Sequence, residues 1–141
     1  LDLARRVYSM RVRRSRQEAE EGTDYTFFIF LPDGSKQVLV GGITLSNIRR
    51  RAAQFVNLGY WMGQDFAGKG MMSEAVGVVV PFIFDTLDLH RIHAAFLPTN
   101  VASRRVLEKN GFVEEGYAKH YLQINGRWED HLLFSRLADD R

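Results

Sequence analysis

Cysteine is absent from the 141 residues, so disulfides, thiolate metal sites and a cysteine nucleophile are excluded. The absence suits a reducing compartment. Long apolar runs are missing as well. The longest spans residues 75–84, about half of the roughly 20 residues a membrane helix requires, and no signal-peptide pattern opens the chain. No membrane partner is expected, and the expected location is cytoplasmic. Neither sign of charge dominates: 19 Lys and Arg stand against 17 Asp and Glu, a formal charge of +2, too small to point to direct nucleic-acid binding. Proline is scarce, and two of the three sit in turn-like stretches, which leaves Pro81 alone inside an apolar segment. What remains is an ordinary globular composition, 45% hydrophobic and 26% charged, at a length that suits a single domain over residues 1–141.

The charge is unevenly placed. Arg5, Arg6, Arg11, Arg13, Arg14 and Arg16 crowd the first segment, and Glu18, Glu20 and Glu21 follow, a pattern that can pair across helical turns. Leu3, Ala4, Val7 and Tyr8 share one face of such a helix, which is expected to end at Gly22-Thr23. Its arginines suit a solvated face or, alternatively, a patch that meets RNA, a ribosomal surface or an acidic substrate. Leu1 is not an initiator methionine and already lies in the pattern, so the chain is expected to lack its leader.

Residues 25–31 and 37–45 are rich in branched and aromatic side chains around Pro32-Asp33-Gly34-Ser35, which predicts a hairpin. Alternation over 54–62 predicts a third strand. Met72, Ala75, Val76, Val79, Phe82 and Ile83 recur at helical spacing, so a buried helix is expected over 71–85, kinked or ended early near Pro81. A strand over 91–97 should lie parallel to the third strand, because it follows a helical crossover. A short helix over 101–109 stops at Asn110-Gly111. Segments 112–124 and 127–137 flank Asn125-Gly126, a strong hairpin signal, and Leu132-Leu133-Phe134, apolar on both faces, predicts an interior strand. The fold class expected is a mixed, mostly antiparallel α/β sheet with helices packed on it.

Between the third strand and the buried helix lies Gly63-Gln64-Asp65-Phe66-Ala67-Gly68-Lys69-Gly70-Met71. Glycines ahead of a helix let backbone N–H groups converge on an anion, most simply a phosphate. Gly63-x-x-x-x-Gly68-Lys69 matches a Walker-type loop, yet Gly70 stands where that motif needs a Ser or Thr for Mg²⁺. A second reading needs no metal. Residues 65–70 resemble the pyrophosphate loop of the GNAT family of N-acetyltransferases, Gln/Arg-x-x-Gly-x-Gly/Ala, with Asp65 departing from the usual first residue. Asn100-Val101-Ala102-Ser103 followed by Glu108-Lys109-Asn110-Gly111-Phe112 resembles that family's second signature. Segments 87–92 and 126–131 are similar, more narrowly, to the Rim-type ribosomal-protein alanine N-acetyltransferases.

The resemblance implies a sheet whose central parallel pair splays to admit acetyl-CoA, with helices on both faces and the family's first strand and first helix missing from this chain. It implies that the backbone of Trp61, Met62 and Gly63 pairs with the pantetheine arm. Phe66, Ala67, Gly68, Lys69, Gly70 and Met71 would surround the pyrophosphate, and Lys109 would lie beside the cofactor. Asn100 would hydrogen-bond the pantetheine or acetyl region, and Ser103 would sit near the thioester sulfur; these two are the candidate catalytic residues. Leu107 takes the place of the tyrosine with which many relatives protonate the thiolate, and Asn57 that of a glutamate base. No strong base is then in view. Glu114 and Glu115, or at least one of them, are expected to face solvent, and no metal is required. The implied activity is acetyl transfer to an amine, most simply the α-amino group of a ribosomal or other protein, by a monomer or homodimer. A small amine such as a polyamine or aminoglycoside, and a non-catalytic CoA- or ribosome-binding module, stay open as alternatives.

Overall fold

The computed structural model describes residues 9–16 and 23–140. Among them are the strands β1 (Ser9–Arg16), β2 (Thr23–Asp33), β3 (Lys36–Arg49), β4 (Phe55–Met62), β5 (Arg91–Phe96), β6 (Val113–Ile124) and β7 (Arg127–Leu137). The helices are α1 (Met71–Pro81) and α2 (Val101–Lys109). All seven strands join in one sheet ordered β1-β2-β3-β4-β5-β7-β6. Only β4 and β5 run parallel, as the crossover through α1 requires. The expected interior strand is β7, between β5 and β6, where Leu132 and Phe134 are buried.

Pro81 acts as expected. It lacks the N–H that would bond to Gly77, so the α-helical run stops there and continues as one π-helical turn, Phe82–Thr86, closed by Leu87 N–H donating to Phe82 O at 3.0 Å.

The N-terminal segment departs from expectation. Residues 9–16 form strand β1, antiparallel to β2, where a helix was expected; the rest of that expected helix lies outside the described residues. Met10 and Val12 align with Ile29 and Phe27, while the guanidiniums of Arg11 and Arg13 lie over the rings of Phe30 and Phe28 at 5.0 and 5.2 Å. Cross-strand aromatic contacts of this kind favour the extended chain over charge pairing along a helix.

Both described helices stand on one face of the sheet. Register aligns Phe27 with Ile43 and Ile43 with Tyr60 in one row. Phe27 meets the ring of Phe82 just beyond α1, and Tyr60 donates its hydroxyl to Ser103 O in α2. Asn110 at the end of α2 ties the two together, donating to Ser73 O at 3.0 Å. The core lies here: Ile29, Ile43, Leu45, Val56, Ile92 and Phe134 of the sheet bury against Val76, Val79, Ile83 and Leu107. No helix covers the opposite face among the described residues, where the resemblance implied helices on both faces.

Candidate active site

β4 and β5 share three rungs, Phe55 with Arg91, Val56 with Ile92 and Asn57 with His93, and then part. Each continues on its outer ladder, β4 along β3 as far as Met62 and β5 along β7 as far as Phe96. The result is a fork whose apex is the Asn57–His93 rung, adjoined by a cleft of about 400 Å3. Gly63 N–H donates to Val40 O at 2.8 Å, so Gly63 and, by strand alternation, Trp61 turn their backbone groups toward β3. Leu58, Tyr60 and Met62 therefore present theirs to the fork. Of the three backbone positions expected along the cofactor arm, Met62 faces the fork, while Trp61 and Gly63 face β3. Trp61 still lines the cleft, and its side chain lies over Gly42, where an added Cβ would be 2.7 Å from the indole nitrogen.

The loop beyond the fork is shaped by its glycines. Gly68 and Gly70 hold φ of 77° and 80°, left-handed values that L side chains rarely adopt, and a Cβ at either would meet no protein atom. Gly70 caps α1, and the first intrahelical bond is Glu74 N–H to Gly70 O, so the N–H groups of Met71, Met72 and Ser73 precede the ladder at the cleft wall. Phe66, Ala67, Gly68, Gly70 and Met71 line the cleft, whereas Lys69 is exposed outside its lining.

The facing wall is α2. Asn100 caps it by accepting Ser103 N–H at 3.0 Å through its side-chain oxygen, which leaves the amide NH2 as a donor. Ser103 and Lys109 line the cleft with Asn100, joined by Ala102, Arg105 and Val106 at helical spacing. Arg105 was missed in the sequence, although it lies four residues before Lys109 on the same helix face. Tyr60 lies in the cleft wall; burial pushes its phenol above the usual range against the opposing pull of its bond to Ser103, so the hydroxyl stays protonated. Leu107 is fully buried in the core and brings no hydroxyl to the cleft.

On the helix-free face, the apex carries a polar group the sequence did not reveal. Arg91 Nη1 donates to both carboxylate oxygens of Glu115, at 2.6 and 2.8 Å, and Ser135 Oγ donates to the same carboxylate at 3.0 Å. Glu115 is exposed as expected, its side chain 45% accessible, and beside a register irregularity in β6 its carboxylate also reaches Arg91 of β5 and Ser135 of β7. The bond from Arg91, foremost, holds its pKa below the usual carboxylate range. His93 pairs with Asn57 on one side and Ser135 on the other, its ring stacked on Phe55 at 4.6 Å. Burial, then the charge of Arg91, lowers its pKa below 6.5, with Glu115 pulling the other way. Three side chains of the last hairpin lie outside the cleft lining. Trp128 is exposed near the β6–β7 turn, Glu114 lies 3.4 Å from Arg104, and Asp130 accepts from the Tyr117 hydroxyl at 2.6 Å.

The Acetyltransferase (GNAT) domain family matches residues 2–113. The chain belongs to that family. GNAT proteins are acyltransferases that draw on acetyl-CoA. The Bacillus subtilis protein named Probable N-acetyltransferase YjcK is 41% identical over 130 residues, 92% of this chain and 71% of that relative. The [Ribosomal protein uS5]-alanine N-acetyltransferase of Escherichia coli is 37% identical over 121 residues, 86% of this chain and 61% of that relative. Among solved GNAT structures, the ribosomal-protein-S5-alanine acetyltransferase of Vibrio fischeri superposes with a TM-score of 0.78 at 41% identity, covering 83% of this chain and 63% of that one. RimJ of Mycobacterium smegmatis, solved with CoA-disulfide, gives 0.75 at 37% identity, covering 82% and 54%. The chain thus spans less than two thirds of three of these four relatives.

Proposed function

We propose that this GNAT chain transfers the acetyl group of acetyl-CoA to the α-amino group of a protein, with a ribosomal protein as the acceptor class. The observation that carries this reading is the fork: two parallel strands that part after three rungs and leave the groups of Leu58, Tyr60 and Met62 facing an empty lane that an extended pantetheine arm can pair with. The loop of Gly68 and Gly70 and the first N–H groups of α1 fit the pyrophosphate at the lane's outer end. Arg105 and Lys109 add positive charge on the opposite wall, and Lys69 adds it from outside. A fork-facing N–H of β4 is the oxyanion donor, the Asn100 NH2 steadies the arm, and the Ser103 hydroxyl passes a proton to the departing sulfur. The names of the E. coli and Vibrio relatives support a ribosomal acceptor, which would also make the location cytoplasmic.

The acceptor class also follows from proton availability. An α-amine with a pKa of about 7.7–8.0 is roughly a tenth neutral at pH 7, while a lysine at about 10.4 is neutral in roughly one molecule in 2,500. A site whose groups are no more basic than an imidazole favours the first. The test is thiol release from acetyl-CoA over peptides that differ only in their first residue. Selectivity for one N-terminal residue supports the reading; turnover of polyamines with no peptide turnover replaces it with small-amine acetylation.

A further inference from the structure

An extended arm entering the fork at the 66–71 loop runs beside residues 58–62 of β4, about 16 Å at 3.3 Å per residue, and brings its far end to the Asn57–His93 rung. One side of that rung is closed: Val56 and Ile92 are fully buried toward α1 and α2, and Tyr60 reaches across to Ser103. Asn57 and His93 stand on the other side, half-buried and under no helix among the described residues. An acceptor amine that approaches the thioester from that side passes between these two side chains. We propose that His93 is the catalytic base that takes the proton of the acceptor amine, which deepens the acetyltransfer reading and rests on it.

Each neighbouring element prepares His93 for this role. From β4, Phe55 stacks on the imidazole at an interplanar angle of 27° and fixes its plane, while Asn57 faces it without charge. The charged groups around it are Arg91 on its own strand and Glu115 from β6, with the Ser135 hydroxyl on β7. Glu115 is the weaker base, because its carboxylate already accepts from Arg91 and Ser135. His93, held below its ordinary pKa by burial and Arg91, is unprotonated at neutral pH. In the reaction the amine nitrogen bonds to the thioester carbon and its proton passes to the imidazole. The C–S bond breaks, the sulfur leaves as thiolate and is protonated, and the imidazolium returns its proton to solvent.

The experiment measures kcat/KM from pH 5 to 9 for the wild type and His93→Gln, with acetyl-CoA and an alanine-initiated peptide, alongside calorimetric titration with CoA. The expected result is a loss of roughly 10²-fold in kcat/KM with unchanged CoA affinity, which shows that the variant is folded. The acid limb of log kcat/KM should fall with slope two in the wild type, from His93 and the substrate amine, and with slope one in the variant. His93→Glu should restore part of the rate, with an acid limb at lower pH. Equal rates and equal slopes overturn the role of His93 while the acetyltransfer reading stands. If the wild type modifies only a polyamine, the α-amine reading fails separately, and the same pH comparison on that polyamine decides His93.

Discussion

Gly68, Asn100, Ser103 and His93 each join a backbone or packing fact to a chemical one, so substitutions can separate the two. At Gly68 the φ of 77° makes any side chain strained, a cost of about 1–2 kcal/mol for an L residue, while the space ahead of it is open. Gly68→Val should therefore lower the melting temperature modestly and weaken acetyl-CoA binding far more, with or without a chelator; calorimetry that finds equal affinity removes the loop from the site. Asn100 offers a sharper division, because its oxygen caps α2 while the residue itself lines the cleft and keeps an NH2 donor. Asn100→Asp keeps the cap and loses the donor, so KM for acetyl-CoA should rise with stability unchanged, whereas Asn100→Ala should also lose about 1 kcal/mol in denaturant unfolding. Ser103→Ala keeps the capped N–H and removes only the hydroxyl, so kcat should fall by roughly 10²-fold with little change in KM; an unchanged kcat assigns Ser103 to structure alone. Asn100 and Ser103 were legible because they sit inside a signature. His93 and Arg105 were not: His93 matters only through its cross-strand rung and Arg105 only through the helix face that α2 presents. His93 also predicts a pH effect. Its folded pKa lies below 6.5, so between the two values the unfolded chain binds more protons and stability falls as pH drops through that window. Histidine NMR titration checks it, and Arg91→Gln should move the midpoint upward.

At the scale of elements, the parts written in local pattern were legible and those written in tertiary contact were not. The hairpin at Asn125-Gly126, the end of α1 at Pro81 and the cap of α2 follow from turn chemistry and a missing N–H, which act within a few residues. β1 was misjudged because its arginines were weighed as helix charge pairs. The alternation Met10-Arg11-Val12-Arg13 is itself a strand signal, and its energy comes from Phe28 and Phe30 on a neighbouring strand. The two helices are held to the sheet by shared burial, so Leu107→Ala, at a position 1% exposed, should cost about 2–5 kcal/mol in denaturant unfolding. A cost under about 1 kcal/mol would mean that α2 is not anchored through this side chain. Gly41 governs the β3–β4 ladder beside the fork: a Cβ there would lie 2.8 Å from Trp61 O, closer than backbone permits.

At the scale of the whole molecule, the order of strands and helices along the chain carried the fold class, since a helix between two strands makes them parallel and an Asn-Gly turn makes the last two antiparallel. The fork was not legible from periodicity. β4 alternates as regularly after Asn57 as before it, and only the family likeness implied that its neighbour departs there. The proposed function depends on that departure, because it would join an anion-binding helix end, an open lane of backbone groups and an approach past His93. The most direct test is mass spectrometry after incubation with acetyl-CoA of a peptide bearing a free N-terminal alanine and an internal lysine, compared with its N-terminally blocked twin. The predicted result is one acetyl group on the N-terminus of the free peptide and none on the twin; equal acetylation of both on lysine would contradict the account.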